Sequence, residues 1–364
     1  MKLIKISINT ILLFFLLLLA SCVNLSEEEI IRNLKSGSVL VVNTGYYEVK
    51  LESGQSIYFN TFDNEGYIDD ISFESPDSLD VKEQLGVGFY VSDDGKILTN
   101  AHIVYNVKSL DEINDSISSF FDSYSSLVRY LRDYSSSEKE ELEEEYWNIM
   151  FDDDYSYLDT QLLKERIDSI SSVISTCDSE LSEINGINFH NSTIVYHPKI
   201  CVLSDGDEIS EMSSVEILTT SVEHDLSLLQ HIDKQTPAGA YVFEIPEDDP
   251  IDHYSFGDKI SNWLSSNKNS SVYTSYFKIS GDLTMTSASY LEVQAGIHDG
   301  FIDTTYPDSS IYCYSFSGEI LPEYTGSPIV NKRCELIGIN TVIYDNDSTV
   351  REYGIRHKHI KSIL

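Results

Sequence analysis

The spacing of apolar residues changes twice along this 364-residue chain, and that change limits the folds open to it. Up to residue 104, apolar and β-branched residues come in short runs set off by turn residues, the pattern of strands. Leu110, Ile113, Ile117, Phe120, Tyr124, Leu127, Leu131 and Tyr134 then recur by threes and fours. Leu163, Ile167, Ile170, Ile174, Cys177, Leu181 and Ile184 do so again. Two runs of period 3.5, interrupted by the polar 135–145 and the acidic 152–154, predict a helical hairpin with its two seams packed together. Short apolar runs between Asp, Ser, Gly and Asn turns resume at 193 and continue to residue 364. The pattern predicts an antiparallel all-β fold carrying a helical hairpin inserted at 106–186.

The strand-like runs are 38–49 and 55–60, with Glu52-Ser53-Gly54 as the turn between them, and later 193–204 and 214–220. Runs 86–91 and 96–99 are joined by Ser92-Asp93-Asp94-Gly95, a tight-turn sequence. They form a hairpin that leads into His102.

The chain carries 60 acidic and 24 basic side chains, a formal charge of -36. That excludes nucleic acid as a partner, and it excludes electrostatic docking on anionic lipid. Residues 106–186 hold 20 acids and 6 bases, a local net of -14, read as solvated helix faces and not as a calcium site.

Residues 1–21 read as a signal peptide: Lys2 and Lys5 precede an apolar run, Ile11–Leu19, too short to span a bilayer. Leu19-Ala20-Ser21-Cys22 resembles a bacterial lipobox, which implies lipidation of Cys22 after cleavage. The plainer alternative is a secretory peptide with Cys22 as a spare thiol. A lipid on Cys22 implies a protein held at a membrane of the cell envelope, at the outer membrane or cell surface. Residues 22–35 read as an acidic linker; Ser26-Glu27-Glu28-Glu29 is similar to a surface-export tether, or is simply a solvated linker.

Four further cysteines, Cys177, Cys201, Cys313 and Cys334, permit disulfides in three connectivities, with free thiols the alternative. Cys313 and Cys334 are the first pair to expect. No spacing of His or Cys suggests zinc, so no metal site and no cofactor is expected.

Three segments carry residues suited to nucleophilic hydrolysis, which needs a hydroxyl, a base, an acid to orient that base, and amide donors for an oxyanion. Thr99-Asn100-Ala101-His102 delivers an imidazole at a strand end. Asp225 opens the apolar run Leu226–Leu229, and Gly326 permits a tight turn beside Thr325. Residues 86–104, 200–206 with 224–229, and Pro322-Glu323-Tyr324-Thr325-Gly326-Ser327-Pro328-Ile329-Val330-Asn331 resemble the histidine, aspartate and nucleophile segments of the trypsin-like serine peptidases. The similarity is greatest to the protease domain of the HtrA/Deg group, whose nucleophile segment reads P-G-N-S-G-G-P-L-V-N. Residues 335–341, 353–355 and 359–364 continue it.

The resemblance covers roughly residues 36–104 and 195–364. It implies a peptidase domain at 36–364, two packed antiparallel six-stranded β-barrels with the site in their cleft, and no PDZ domain. His102 would be the base, Asp225 its orienter, Thr325 the nucleophile, and the amides of Glu323 and Thr325 the oxyanion hole. Substrates would be peptides or proteins, cleaved without a cofactor. Two residues depart from the pattern. Thr325 stands where the family has serine, and its methyl restricts χ1. Glu323 replaces a glycine and sets a carboxylate where negative charge must build. Ser327 is an alternative nucleophile; His224, His298, His357 and His359 read as structural. A second function class therefore stands beside the peptidase: a pseudoprotease binding another envelope protein through its cleft or its helical hairpin.

Overall fold

In the computed structural model, the described residues are 25–60, 68, 70–80, 82–105, 110–151, 157–187, 191–207, 211–247, 271–280, 292–305, 311–316, 325–344 and 350–364. The chain divides into two compact units, one made of residues up to Gly45, Val81–Val107 and Pro198–Leu364, the other of Tyr46–Asp80 and Lys108–His197.

The first unit contains two closed antiparallel barrels of six strands each. The first barrel comprises β1 (Ser38–Asn43), β4 (Gln84–Tyr90), β5 (Lys96–Thr99), β7 (Ile200–Ser204), β8 (Ser213–Ser221) and β9 (Leu226–His231), in the order β1-β4-β5-β9-β8-β7. The second comprises β10 (Ser271–Ser280), β11 (Glu292–Thr305), β12 (Ile311–Phe316), β13 (Pro328–Val330), β14 (Leu336–Tyr344) and β15 (Val350–Arg356), in the order β10-β11-β12-β15-β14-β13. Closure removes sheet edges, and strands buried on both faces read as unbroken apolar runs. Every residue of β1 and of β9 is buried. Phe89, Leu98, Leu226 and Leu228 of the first barrel share one core cluster with Val330, Leu336, Ile339 and Ile355 of the second. Phe277 of β10 joins Leu40, Val42 and Val87. Packing of this extent holds the two barrels as one body.

Residues 27–37 are not a solvated linker. They form helix α1 (Glu27–Gly37), capped by a reciprocal box in which Ser26 accepts from the Glu29 amide and the Glu29 carboxylate accepts from the Ser26 amide. Ile30 and Leu34, one turn apart, are 1% and 0% exposed and belong to the inter-barrel core. Burial of each stabilises the fold by about 1.5–3 kcal/mol. The acidic first turn favours the helix N-terminus electrostatically.

The second unit holds a three-stranded sheet and two long helices, so the chain as a whole mixes α and β and is not all-β. Strands β2 (Tyr46–Lys50), β3 (Ser56–Phe59) and β6 (Thr193–His197) pair in the order β3-β2-β6. Helices α3 (Leu110–Met150) and α4 (Tyr157–Gly186) are 41 and 30 residues long; the short α2 (Ala101–Val104) precedes them in the first unit. Tyr47, Val49, Ile57 and Phe59 pack with Ile113, Ile117 and Phe121 in a core of the unit's own. The unit therefore extends beyond the helical hairpin that the 3.5-residue period marks.

Candidate active site

Strand pairing sets the first two candidate residues side by side. β5 and β9 run antiparallel with Thr99 opposite Ser227, so the chain leaving β5 passes the residue that precedes β9. That chain turns at Asn100 into α2, which carries His102. A Cβ on Gly86 would lie 2.2 Å from Ile103 Cδ1, so any larger residue there would displace the Ile103 side chain that packs this helical turn against β4. Its carbonyls find donors: Gln84 Nε2 donates to His102 O at 2.6 Å and Asn43 Nδ2 to Ile103 O at 3.0 Å.

Asp225 adopts a left-handed backbone, φ 49°, a conformation that Asp tolerates better than most residues. Its carboxylate faces His102: Nδ1 lies 2.9 Å from Oδ1 and 2.8 Å from Oδ2, and the His102 amide donates to Oδ1 at 3.0 Å. Thr341 Oγ1 of β14 donates to Oδ2 at 3.1 Å. A carboxylate only accepts, so Nδ1 carries a hydrogen, the arrangement that leaves Nε2 of a neutral ring free to act as a base.

Thr325 is 5% exposed and begins the turn into β13. Gly326 follows with φ 88°, and a Cβ there would stand 2.0 Å from the Val87 carbonyl oxygen. The turn is clamped by the Val87 amide donating to Thr325 O and the Gly326 amide donating to Asn340 O, each at 2.8 Å. Thr325 Oγ1 donates to Asn100 Oδ1 at 3.4 Å, while Asn100 Nδ2 donates to the Asp225 carbonyl at 2.9 Å. One buried carboxamide thus contacts two of the three candidate catalytic residues. Asn100 and Thr341 received no role from the sequence. The only signal was their place, two residues before the histidine and within the strand that follows the nucleophile segment.

The other expectations divide. Ser327 is fully buried and shares a hydrogen with Thr274 Oγ1 at 2.8 Å, which removes it as an alternative nucleophile. His224 contacts Ser221 Oγ at 3.1 Å and stacks on His359 with centroids 4.3 Å apart; His357 Nε2 donates to Pro246 O at 3.1 Å. Cys334 is a buried free thiol, so the Cys313–Cys334 disulfide does not form. Burial pushes its pKa up to about 11. Cys22, the leader at 1–21 and Glu323 lie outside the described residues, and so does the side chain of His298. Among the described residues no cluster of three His, Cys, Asp or Glu is placed to hold a metal ion, and no helix is long and apolar enough to cross a membrane.

The chain matches no protein-family model and no curated protein. Among solved structures it is similar to the serine endoprotease from Yersinia pestis, with 13% sequence identity and a TM-score of 0.38. The alignment covers 93% of this chain and 65% of that one, so this chain spans just under two thirds of its length.

Proposed function

We propose that the protein is a serine-type endopeptidase of trypsin-like architecture, in which His102, Asp225 and Thr325 hydrolyse peptide bonds without a cofactor. The observation that carries this reading is the grip of the Asp225 carboxylate on Nδ1 of His102, at 2.9 and 2.8 Å. In the proposed reaction Thr325 Oγ1 attacks the scissile carbonyl as its proton passes to His102 Nε2. Asp225 stabilises the resulting imidazolium, and the amides of residues 323 and 325 receive the oxyanion. The imidazolium then protonates the leaving amine, and water, activated by the same imidazole, cleaves the acyl ester.

A second reading is a pseudoprotease that holds another envelope protein. The contact of Thr325 Oγ1 with Asn100 Oδ1 favours it, because that contact draws on the proton His102 must take. Labelling with a fluorophosphonate separates the two. Hydrolytic competence gives labelling in wild type and none in Thr325→Ala, whereas labelling only in Thr325→Ser shows an intact site that the native threonine does not use. Absence of labelling in both wild type and Thr325→Ser leaves the binder.

The sequence supports a place in the cell envelope through a lipid on Cys22. Mass spectrometry of the mature N-terminus tests this: an unmodified Cys22, or cleavage elsewhere, would rule it out.

A further inference from the structure

Phe120, Tyr124, Leu127, Leu131 and Tyr134 have the spacing of a coiled-coil seam, yet α3 leaves Leu127, Leu131 and Tyr134 exposed. The face it buries is one step round: Phe121, Ser125, Val128 and Leu142 are 6%, 6%, 3% and 6% exposed. From α4, Cys177 is buried at 7%. Polar contacts fix this register. Tyr124 OH donates to Glu180 at 3.0 Å, Arg132 Nε to Asp178 at 2.6 Å and Arg166 to Glu138 at 2.6 Å. Leu127, Leu131 and Tyr134 are left 54%, 45% and 61% exposed, with Tyr130 beside them at 65%.

Past Tyr134, glutamates fill six of the eight positions from 138 to 145, with Glu138, Glu141 and Glu145 on the same flank. Glu138 is engaged by Arg166, whereas Glu141 and Glu145 are exposed. The flank of α3 is therefore apolar in its first half and acidic in its second. Each large apolar side chain left in water forgoes about 1.5–3 kcal/mol of burial. A flank of this kind matches a helix bearing apolar residues at a and d positions and cations at one end.

We propose that the flank of α3 from Leu127 to Glu145 is a docking seam for a cationic amphipathic helix of a partner protein. A second copy of this chain is a poor occupant. Residues 106–186 carry a net -14, and self-pairing in either direction would set Glu141 and Glu145 against carboxylates or against the apolar half. The proposal deepens the partner-holding reading and involves no chemistry at Thr325, so failure of one experiment leaves the other's result standing.

The test is a fluorescence-anisotropy titration of the full mature chain into a labelled synthetic helix about three heptads long. The peptide has Leu and Ile at a and d positions in its apolar part and Lys at those positions in its last heptad. Binding should weaken about tenfold or more, a loss of about 1.4 kcal/mol, in Leu127→Gln/Leu131→Gln. It should weaken similarly in Glu141→Lys/Glu145→Lys, and a peptide with Glu in place of its Lys should restore it. These positions are exposed, so helicity by circular dichroism should stay at the wild-type value. No binding, binding indifferent to both variant pairs, or failure of the charge-reversed peptide to rescue would overturn the proposal. So would sedimentation showing a dimer of the chain that Leu127→Gln/Leu131→Gln dissociates.

Discussion

Thr325 donates its hydroxyl hydrogen to Asn100 across 3.4 Å, longer than a good hydroxyl hydrogen bond, and both residues are buried. In the proposed reaction the same hydrogen passes to His102, so Asn100 would compete with that base. Asn100→Ala should raise fluorophosphonate labelling per folded molecule about fivefold, the equivalent of one weak hydrogen bond. It should also lower stability by about 1–3 kcal/mol in urea unfolding, because the Asp225 carbonyl loses its donor. Labelling that disappears in Asn100→Ala would mean that Asn100 supports the site and does not restrain it.

Gly326 brings the turn at Thr325 against β4. Alanine there would combine a left-handed backbone with a Cβ 2.0 Å from the Val87 oxygen. Gly326→Ala should cost more than about 3 kcal/mol in chemical denaturation. A wild-type midpoint would show that the turn does not close as described.

Helix α1 makes a paired prediction. Ser26→Ala removes a capping box and should cost about 1 kcal/mol, and Leu34→Ala empties a core position and should cost about 2–5 kcal/mol. If both variants unfold with the wild type, residues 26–37 act only as a tether.

Cys334, with its thiol raised by burial to about 11, should resist alkylation in the native protein at neutral pH. Peptide mapping after timed alkylation should find half-buried Cys201 modified before Cys334, and Cys334 only on unfolding. Prompt native modification of Cys334 would contradict its burial.

Burial holds the His231 imidazole below its ordinary value, Asp233 opposing, and Nε2 lies 3.1 Å from the Tyr90 hydroxyl. The unfolded chain, whose histidine titrates near about 6.5, binds this proton more readily than the folded one. Stability contributed by the neutral ring is therefore intact above that pH and lost as pH falls through the lower folded value. The urea midpoint of wild type should fall more steeply than that of His231→Gln between about pH 7.5 and pH 5.5. Parallel slopes would remove His231 as the cause.

Much of the candidate site was legible because its signals are local. The hairpin from Gly86 to Thr99 with its Asp-Gly turn, the histidine beyond it, Asp225 before an apolar strand and Gly326 in the nucleophile turn each depend on a few neighbouring residues. The capping box at Ser26 and Glu29 was equally local, but the run of glutamates disguised it as a tether. The run 38–49 reads as one strand and is two, β1 in the barrel and β2 in the second unit, broken at Thr44-Gly45. The run 193–204 divides likewise at Pro198-Lys199, and the Thr44 amide donates to the Lys199 carbonyl where both crossings occur. Gly45 and Pro198 were the available signals, weak within runs of strand-forming residues.

The sequence by itself determined the periods, the turns and the order in which imidazole, carboxylate and hydroxyl appear, since each follows from the preferences of adjacent residues. Only the tertiary structure decided which face α3 buries, which strands close each barrel, and that Asn100 and Thr341 reach the residues around them. Those choices depend on burial and hydrogen bonding between segments as far apart as 100 and 325, whose combined free energy no short stretch of chain contains.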